Sequence, residues 1–234
     1  MLYIRCVWEH NAHDTLLYAE NIIGAFTRGT SLDEALNKMP REICSYLKWI
    51  GYGAPDDLKP VIVQEKESQL KISDADSDVL FDSEREVLTW CEYSSLKQLA
   101  LKSAADFHRL YESIPDIKKS CLKERSTFYG SMPLTAEEMY FHTRNVNSYY
   151  FDEIGVTADN GGSILDCRIR GFKALEGKPD YLSNTVYFGS YNEEWSLRKV
   201  LRRFVWHDRI HAKAMWRMAE KTFGHGSIPN IFCF

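Results

Sequence analysis

Three histidines carry the chemistry this sequence can do. His207 and His211 stand i and i+4 in LRKVLRRFVWHDRIHAKAMWRM, and His142 lies in LTAEEMYFHTRNVNSYYFDEI. Stepping by fours and threes from Val200 gives Phe204, His207, His211, Ala214 or Met215, and Met218, one stripe of an amphipathic helix. Side chains four apart share a face, so the pair is expected to point inward. The stripe Met139, His142, Val146 and Tyr149 places the third imidazole in a core slot of another helix. A buried imidazole without a partner costs roughly 1–3 kcal/mol. Two explanations remain open: core histidines satisfied by their neighbours, or a metal.

Three neutral imidazoles suit Zn, Ni, Co or Fe. Three protein ligands also leave a position for water, as catalytic zinc sites do and structural ones do not. The pair is not HExxH, because Asp208 follows His207 and its carboxylate is one methylene short of the glutamate base of zinc proteases. Asp208 and Glu138, the latter one turn before His142, are candidates for orienting the imidazoles through their second ring nitrogens. Each is otherwise an ordinary surface charge. Tyr149 is a candidate pocket wall or a core aromatic.

The elements that must position these groups follow from periodicity and capping signals. LYIRCVW, DTLLYA and PVIVQEK read as strands, the last after a Gly51–Pro60 loop. SLDEALNKMPREICSYLKWI reads as a helix with a Ser31–Glu34 capping box and Pro40 set to kink or break it. This small α+β domain spans 1–67, and the acidic, Ser-rich stretch 68–83 reads as a linker.

From 84 to 234 the sequence is mainly helical. A first helix is capped by Ser83 against Glu86 and runs to about Ile114. Its inward stripe is Leu96, Leu99, Ser103, Phe107, Leu110 and Ile114, with an irregularity at Tyr93 and Ser94 and His108 on the flank. After Pro115 comes a connection of about 18 residues. The His142 helix follows, capped by Thr135 against Glu138 and ended by Gly155, then a helix at 163–175 with Gly171 in its middle. A Tyr-, Ser- and Asn-rich loop at 177–193 leads into the His207 helix, which Gly224 stops. The fold class is α+β, a small mixed unit followed by four helices.

Composition narrows the function. The chain has 234 residues, 44% of them hydrophobic, a formal charge of −4 and a pI near 6.0. That is ample for a core, and a broadly basic surface for nucleic acid or anionic membrane is not indicated. No apolar run approaches the ~20 residues that span a bilayer, and the first residues lack a signal-peptide core. A cytoplasmic protein is expected. Six cysteines without a CxxC pair read as free thiols in a reducing compartment.

Two resemblances sharpen these expectations. IIGAFTRGTSLDEALNKMPREI is similar to the strand, turn and helix of HicB-like antitoxin domains, matching at Gly24, Phe26, Gly29, Ser31, Leu32, Glu34, Ala35 and Leu36. That resemblance implies a partner-binding fold, although no DNA-binding segment accompanies it. LTAEEMYFHTRNVNSYYFDEI and WSLRKVLRRFVWHDRIHAKAM resemble the DinB-like (YfiT-like) four-helix-bundle superfamily over about residues 84–224. By position, His142, His207 and His211 match that family's metal triad. The resemblance implies an up-down-down-up bundle, a nickel or zinc ion and a homodimer. It also implies, for some members, transfer of a low-molecular-weight thiol to a small-molecule substrate. Three functions follow as expectations: a metal-dependent transferase or hydrolase, a non-catalytic metal-binding bundle or sensor, and a HicB-like partner-binding protein.

Overall fold

Alternating apolar residues make the first strand, β1 (Leu2–His10), with Ile4 and Cys6 fully buried, as the period-two direction of strand side chains requires. The structure is a computed structural model that describes every residue except Ala54, Asp56, Phe128 and Tyr129. Two of these fall in the expected 51–60 loop and two in the connection after Pro115, so those parts of the expectation lie outside the described residues. β2 (Thr15–Ala19), β3 (Phe26–Gly29) and β4 (Leu58–Glu67) complete a sheet ordered β3-β2-β1-β4. The pairs are antiparallel except β1 with β4, which is parallel.

Helix α1 (Leu32–Trp49) lies on β2, β3 and β4 and buries Ala35, Met39, Ile43, Tyr46 and Trp49. Pro40 removes one backbone donor, yet the helix runs through it unbroken. Fully buried Met39 and Ile43 on either side hold both halves to the sheet. The expected capping box is only half made. Ser31 Oγ accepts from Glu34 N at 3.3 Å, while Glu34 Oε2 accepts from Thr30 N at 2.8 Å, one residue further back.

The chain divides into two units, Met1–Asp82 with Phe232–Phe234, and Ser83–Ile231. Residues 68–82 are therefore part of the first unit and not a linker. Ile72, Val79, Leu80 and Phe81 are buried there. Tyr18 donates to Ser77 Oγ at 2.7 Å, and Ser77 donates to the buried Glu9 carboxylate at 2.5 Å. Those four apolar residues anchor the segment. The last residues also join this unit: Phe232 stacks on Trp49 at 5.0 Å, and Ser45 donates to the Cys233 carbonyl at 2.7 Å. All six cysteines are free thiols.

In the second unit, α2 (Trp90–Glu112) packs on α4 (Ile164–Glu176) and α5 (Leu197–Phe223), and α3 (Ala136–Asp152) packs on the same two. The expected Ser83–Glu86 cap is not the one used. Residues Asp82–Arg85 form a short 3-10 turn, and Thr89 with Glu92 makes the capping box. Tyr93 is fully buried inside a regular α2, while Leu96 and Leu99 are half-buried. The buried stripe of α3 is Met139, Tyr140, Thr143, Asn147, Tyr150 and Phe151, rotated by one residue from the expected one. No helix among the described residues is long and apolar enough to cross a membrane.

Gly171 in α4 has a packing reason. A Cβ there would lie 2.1 Å from Phe151 Cε2, so the glycine lets α3 and α4 approach edge to face. Overpacking of this kind costs typically about 1–3 kcal/mol. Gly171→Ala is expected to lower the unfolding free energy by roughly that amount despite alanine's better helix propensity. An unchanged urea midpoint would contradict the packing argument.

Candidate metal centre

Each imidazole arrives on a helix whose start is pinned. The capping box of Thr135 and Glu138 opens α3, and Ser196 Oγ accepts from Lys199 N at 3.2 Å to open α5. Along α5 the apolar positions Val200, Phe204, Met215 and Met218 are fully buried, with His207 between them at 9% exposure. His211 and His142 are half-buried. The exposed Ala214 marks the edge of the stripe, and Met215 takes the inward position.

The three imidazoles meet. Ring centroids are 4.4 Å apart for His207 and His211, 4.7 Å for His142 and His211, and 5.3 Å for His142 and His207. One nitrogen from each lies within 4.8 Å of the others, and no fourth Cys, His, Asp or Glu joins the group among the described residues. None of the three rings makes a hydrogen bond to a described residue, and His207 Nδ1 is buried without a partner. Satisfied core histidines would have partners. An ion about 2.1 Å from each nitrogen needs them roughly 3.4 Å apart, a contraction small side-chain rotations can supply, so the residues fit a metal.

The electrostatics favour neutral, ligating rings. Burial lowers His142, and burial with the charge of His142 lowers His211 to about 3. His207 is held well below its ordinary value by burial, then by its two partner histidines, then by Arg203 and Arg168. All three are unprotonated at neutral pH and need lose no proton to bind a metal.

The proposed orienting carboxylates are elsewhere. Asp208 is fully buried and points away from the imidazoles: it takes Arg168 Nη1 at 2.5 Å and Nη2 at 3.2 Å, and Ser103 Oγ at 2.5 Å. Residues i and i+1 on a helix are ~100° apart, so the neighbour of an inward His207 must face another helix. Glu138 Oε2 accepts from Leu134 N and Thr135 N, which hold its carboxyl below the usual range. Neither reaches a ring nitrogen.

Tyr149 is 38% exposed, and its neighbour Tyr150, missed from the sequence, is the aromatic beside the centre. The Tyr150 ring is 6.1 Å from that of His207, 5.5 Å from Trp195 and 5.4 Å from Phe204. Burial pushes its hydroxyl up to about 12, so it is a neutral phenol. The one-residue rotation of the α3 stripe is what would have found it.

The 177–193 segment reaches this neighbourhood through Trp195. Strand β5 (Tyr187–Phe188) pairs with β6 (Glu194–Trp195), and Arg203 lies over Trp195 at 5.4 Å and over Trp206 at 5.0 Å. Glu193 takes both Lys199 at 2.8 Å and Arg203 at 2.9 Å. Asn184, at a positive φ of 56°, donates to the carbonyls of Glu84 and Glu86 and accepts from Arg198 N. The structure therefore shows a helical unit with a three-imidazole cluster in metal-binding geometry. No family model, curated protein or solved structure matches the chain.

Two outcomes are expected. Because the folded-state pKa of His211 lies below its unfolded value near 6.5, the unfolded chain binds the extra proton. Metal-free protein should keep full stability above pH ~6.5 and lose up to ~1.4 kcal/mol per pH unit, per imidazole, as pH falls toward the folded value. Urea titrations from pH 7.5 to 4.5 check this, and His211→Ala should flatten the slope. Asp208→Asn, by breaking a fully buried pair, should cost about 3–5 kcal/mol, whereas an exposed or metal-orienting carboxylate would leave metal-free stability near wild type.

Proposed function

We propose that the chain is a divalent-metal protein of the DinB-like class, its second unit an up-down-down-up four-helix bundle, and that the triad serves metal-dependent transfer or hydrolysis with a low-molecular-weight thiol as one substrate. The observation that carries the proposal is the meeting of three imidazoles, from two helices, that have no other partner. His142, His207 and His211 would hold the ion, with zinc or nickel best suited to an all-imidazole set. When bound, the ion supplies Lewis acidity that brings the pKa of water or a thiol toward neutrality.

The chain's own residues do the rest. Burial keeps the imidazoles neutral, and the absence of a fourth protein ligand among the described residues leaves room for a substrate atom. The Tyr150 ring packs edge to face against both Phe204 and His207 and covers one side of that imidazole with apolar surface. The N-terminal unit is proposed as HicB-like on the sequence resemblance, and a strand, a turn at Thr30–Ser31 and a helix in that order support the reading.

Elemental analysis of the protein as purified is expected to find one zinc or nickel per chain, lost in His142→Ala. Turnover across a panel of thiols and electrophiles should vanish on chelation and return with metal. Equal, trace metal in wild type and His142→Ala would remove the metal reading. Full loading without turnover would leave a metal-binding bundle that is not an enzyme.

A further inference from the structure

The first unit holds an open cavity of about 500 Å³, lined by Arg41, Cys44, Lys48 and Tyr52 on one side of the chain and by Cys233 on the other. Arg41, Cys44 and Lys48 are spaced three and four apart, so they share one stripe of α1. No carboxylate side chain lines the cavity, and neither cation makes an ion pair or a side-chain hydrogen bond among the described residues. Two of the six thiols meet here. Cys6, Cys121 and Cys167 each donate to a backbone carbonyl, and Cys91 is exposed on α2 in the other unit. Cys44 and Cys233 are half-buried, and their sulfurs have no hydrogen-bond partner among the described residues. The segments that carry them are already in contact. Ser45, next to Cys44, donates to the Cys233 carbonyl at 2.7 Å, and Phe232 stacks on Trp49, one turn after Ser45. Cys233 is held at a left-handed φ of 58°, a conformation that disfavours a β-carbon, so its surroundings and not local preference place it.

Two free thiols in one cavity suit either a soft cation or a ligand that carries a disulfide. The unpaired guanidinium and ammonium decide between them, because they repel a cation and draw in an anion. We propose that the cavity is a thiol–disulfide exchange site for an anionic low-molecular-weight disulfide, with Cys44 as the attacking thiol and Cys233 as the resolving one. The Cys44 thiolate attacks one sulfur of the bound disulfide, the ligand's S–S bond breaks, and one half leaves as a thiol carrying the proton Cys44 gave up. The Cys233 thiolate then attacks Cys44 Sγ and expels the second half, which takes the proton from Cys233. Two protein thiols are oxidised and one disulfide is reduced to two thiols. The product ties residues 232–234 covalently to α1. The site lies in the first unit and stands independently of the metal reading.

The test incubates full-length protein with glutathione disulfide, alkylates the remaining thiols and maps the peptides by mass spectrometry without reduction. Wild type is expected to yield a Cys44–Cys233 linked peptide and two equivalents of released glutathione. Cys233→Ser should stop at one equivalent, with glutathione attached to Cys44, and Cys44→Ser should form neither product. Arg41→Glu combined with Lys48→Glu should slow exchange with glutathione disulfide about tenfold or more and speed exchange with the cationic disulfide cystamine. Absence of the linked peptide from wild type overturns the proposal, and that map decides even where a variant fails to fold. So does modification of the exposed Cys91 at the same rate as Cys44. Equal slowing of both disulfides by the charge reversal overturns the anionic assignment.

Discussion

The rotation of α5 about its own axis is set by one buried ion pair, Arg168 with Asp208, and everything at the centre follows from it. Both side chains are fully buried, and Ser103 adds a third group from α2. Removing two charges from water costs several kcal/mol per ion, and burial raises Asp208 even beside the guanidinium. Such a pair adds little net stability, but it tolerates only one alignment, because any other leaves a buried charge alone. With Asp208 committed to α2 and α4, the preceding residue is turned toward α3. His207 then faces His142, and His211 follows four residues later on the same side.

Neutrality of the rings is the second constraint. A protonated triad would place three like charges within 4.8 Å of each other in a part of the molecule where nearby guanidinium groups already disfavour protons. Glu193 absorbs the charge of Arg203 and Lys199, and burial still lowers Lys199 to about 8. The surroundings are therefore built to keep imidazole lone pairs available at neutral pH, which a metal uses and an imidazolium cannot.

Helical period alone was enough to bring His142, His207 and His211 together, because three-four spacing on two helices leaves little freedom in which faces meet. The α3 stripe was read one residue out of register, since Tyr149 and Tyr150 are the same residue type and composition cannot say which turns inward. Strands were legible from alternation at 2–8, 14–19 and 60–66, and the folded strands run Leu2–His10, Thr15–Ala19 and Leu58–Glu67. The 68–82 segment was not. Its apolar residues are too sparse to show a period, and its attachment depends on Glu9 and Tyr18, some sixty residues earlier. Likewise the cap of α2 falls at Thr89 because Ser83–Arg85 is spent in a 3-10 turn, with Glu84 drawn into the interior by Arg202. Asp208 reads as a metal-site carboxylate in sequence because its arginine lies forty residues away.

The pattern of partners along α5 gives the centre its meaning. Arg202 is matched by Glu84, Lys199 and Arg203 by Glu193, Asp208 by Arg168, each partner coming from outside the helix. A helix that buries this much charge must have each group answered, because an unanswered one is a penalty no apolar contact repays. Against that background His207 Nδ1 lacks a hydrogen-bond partner within the protein, and two further imidazoles that make no hydrogen bond to a described residue converge on it. Three neutral imidazoles held facing one another beside these matched charges fit a cation between them better than they fit a closed core.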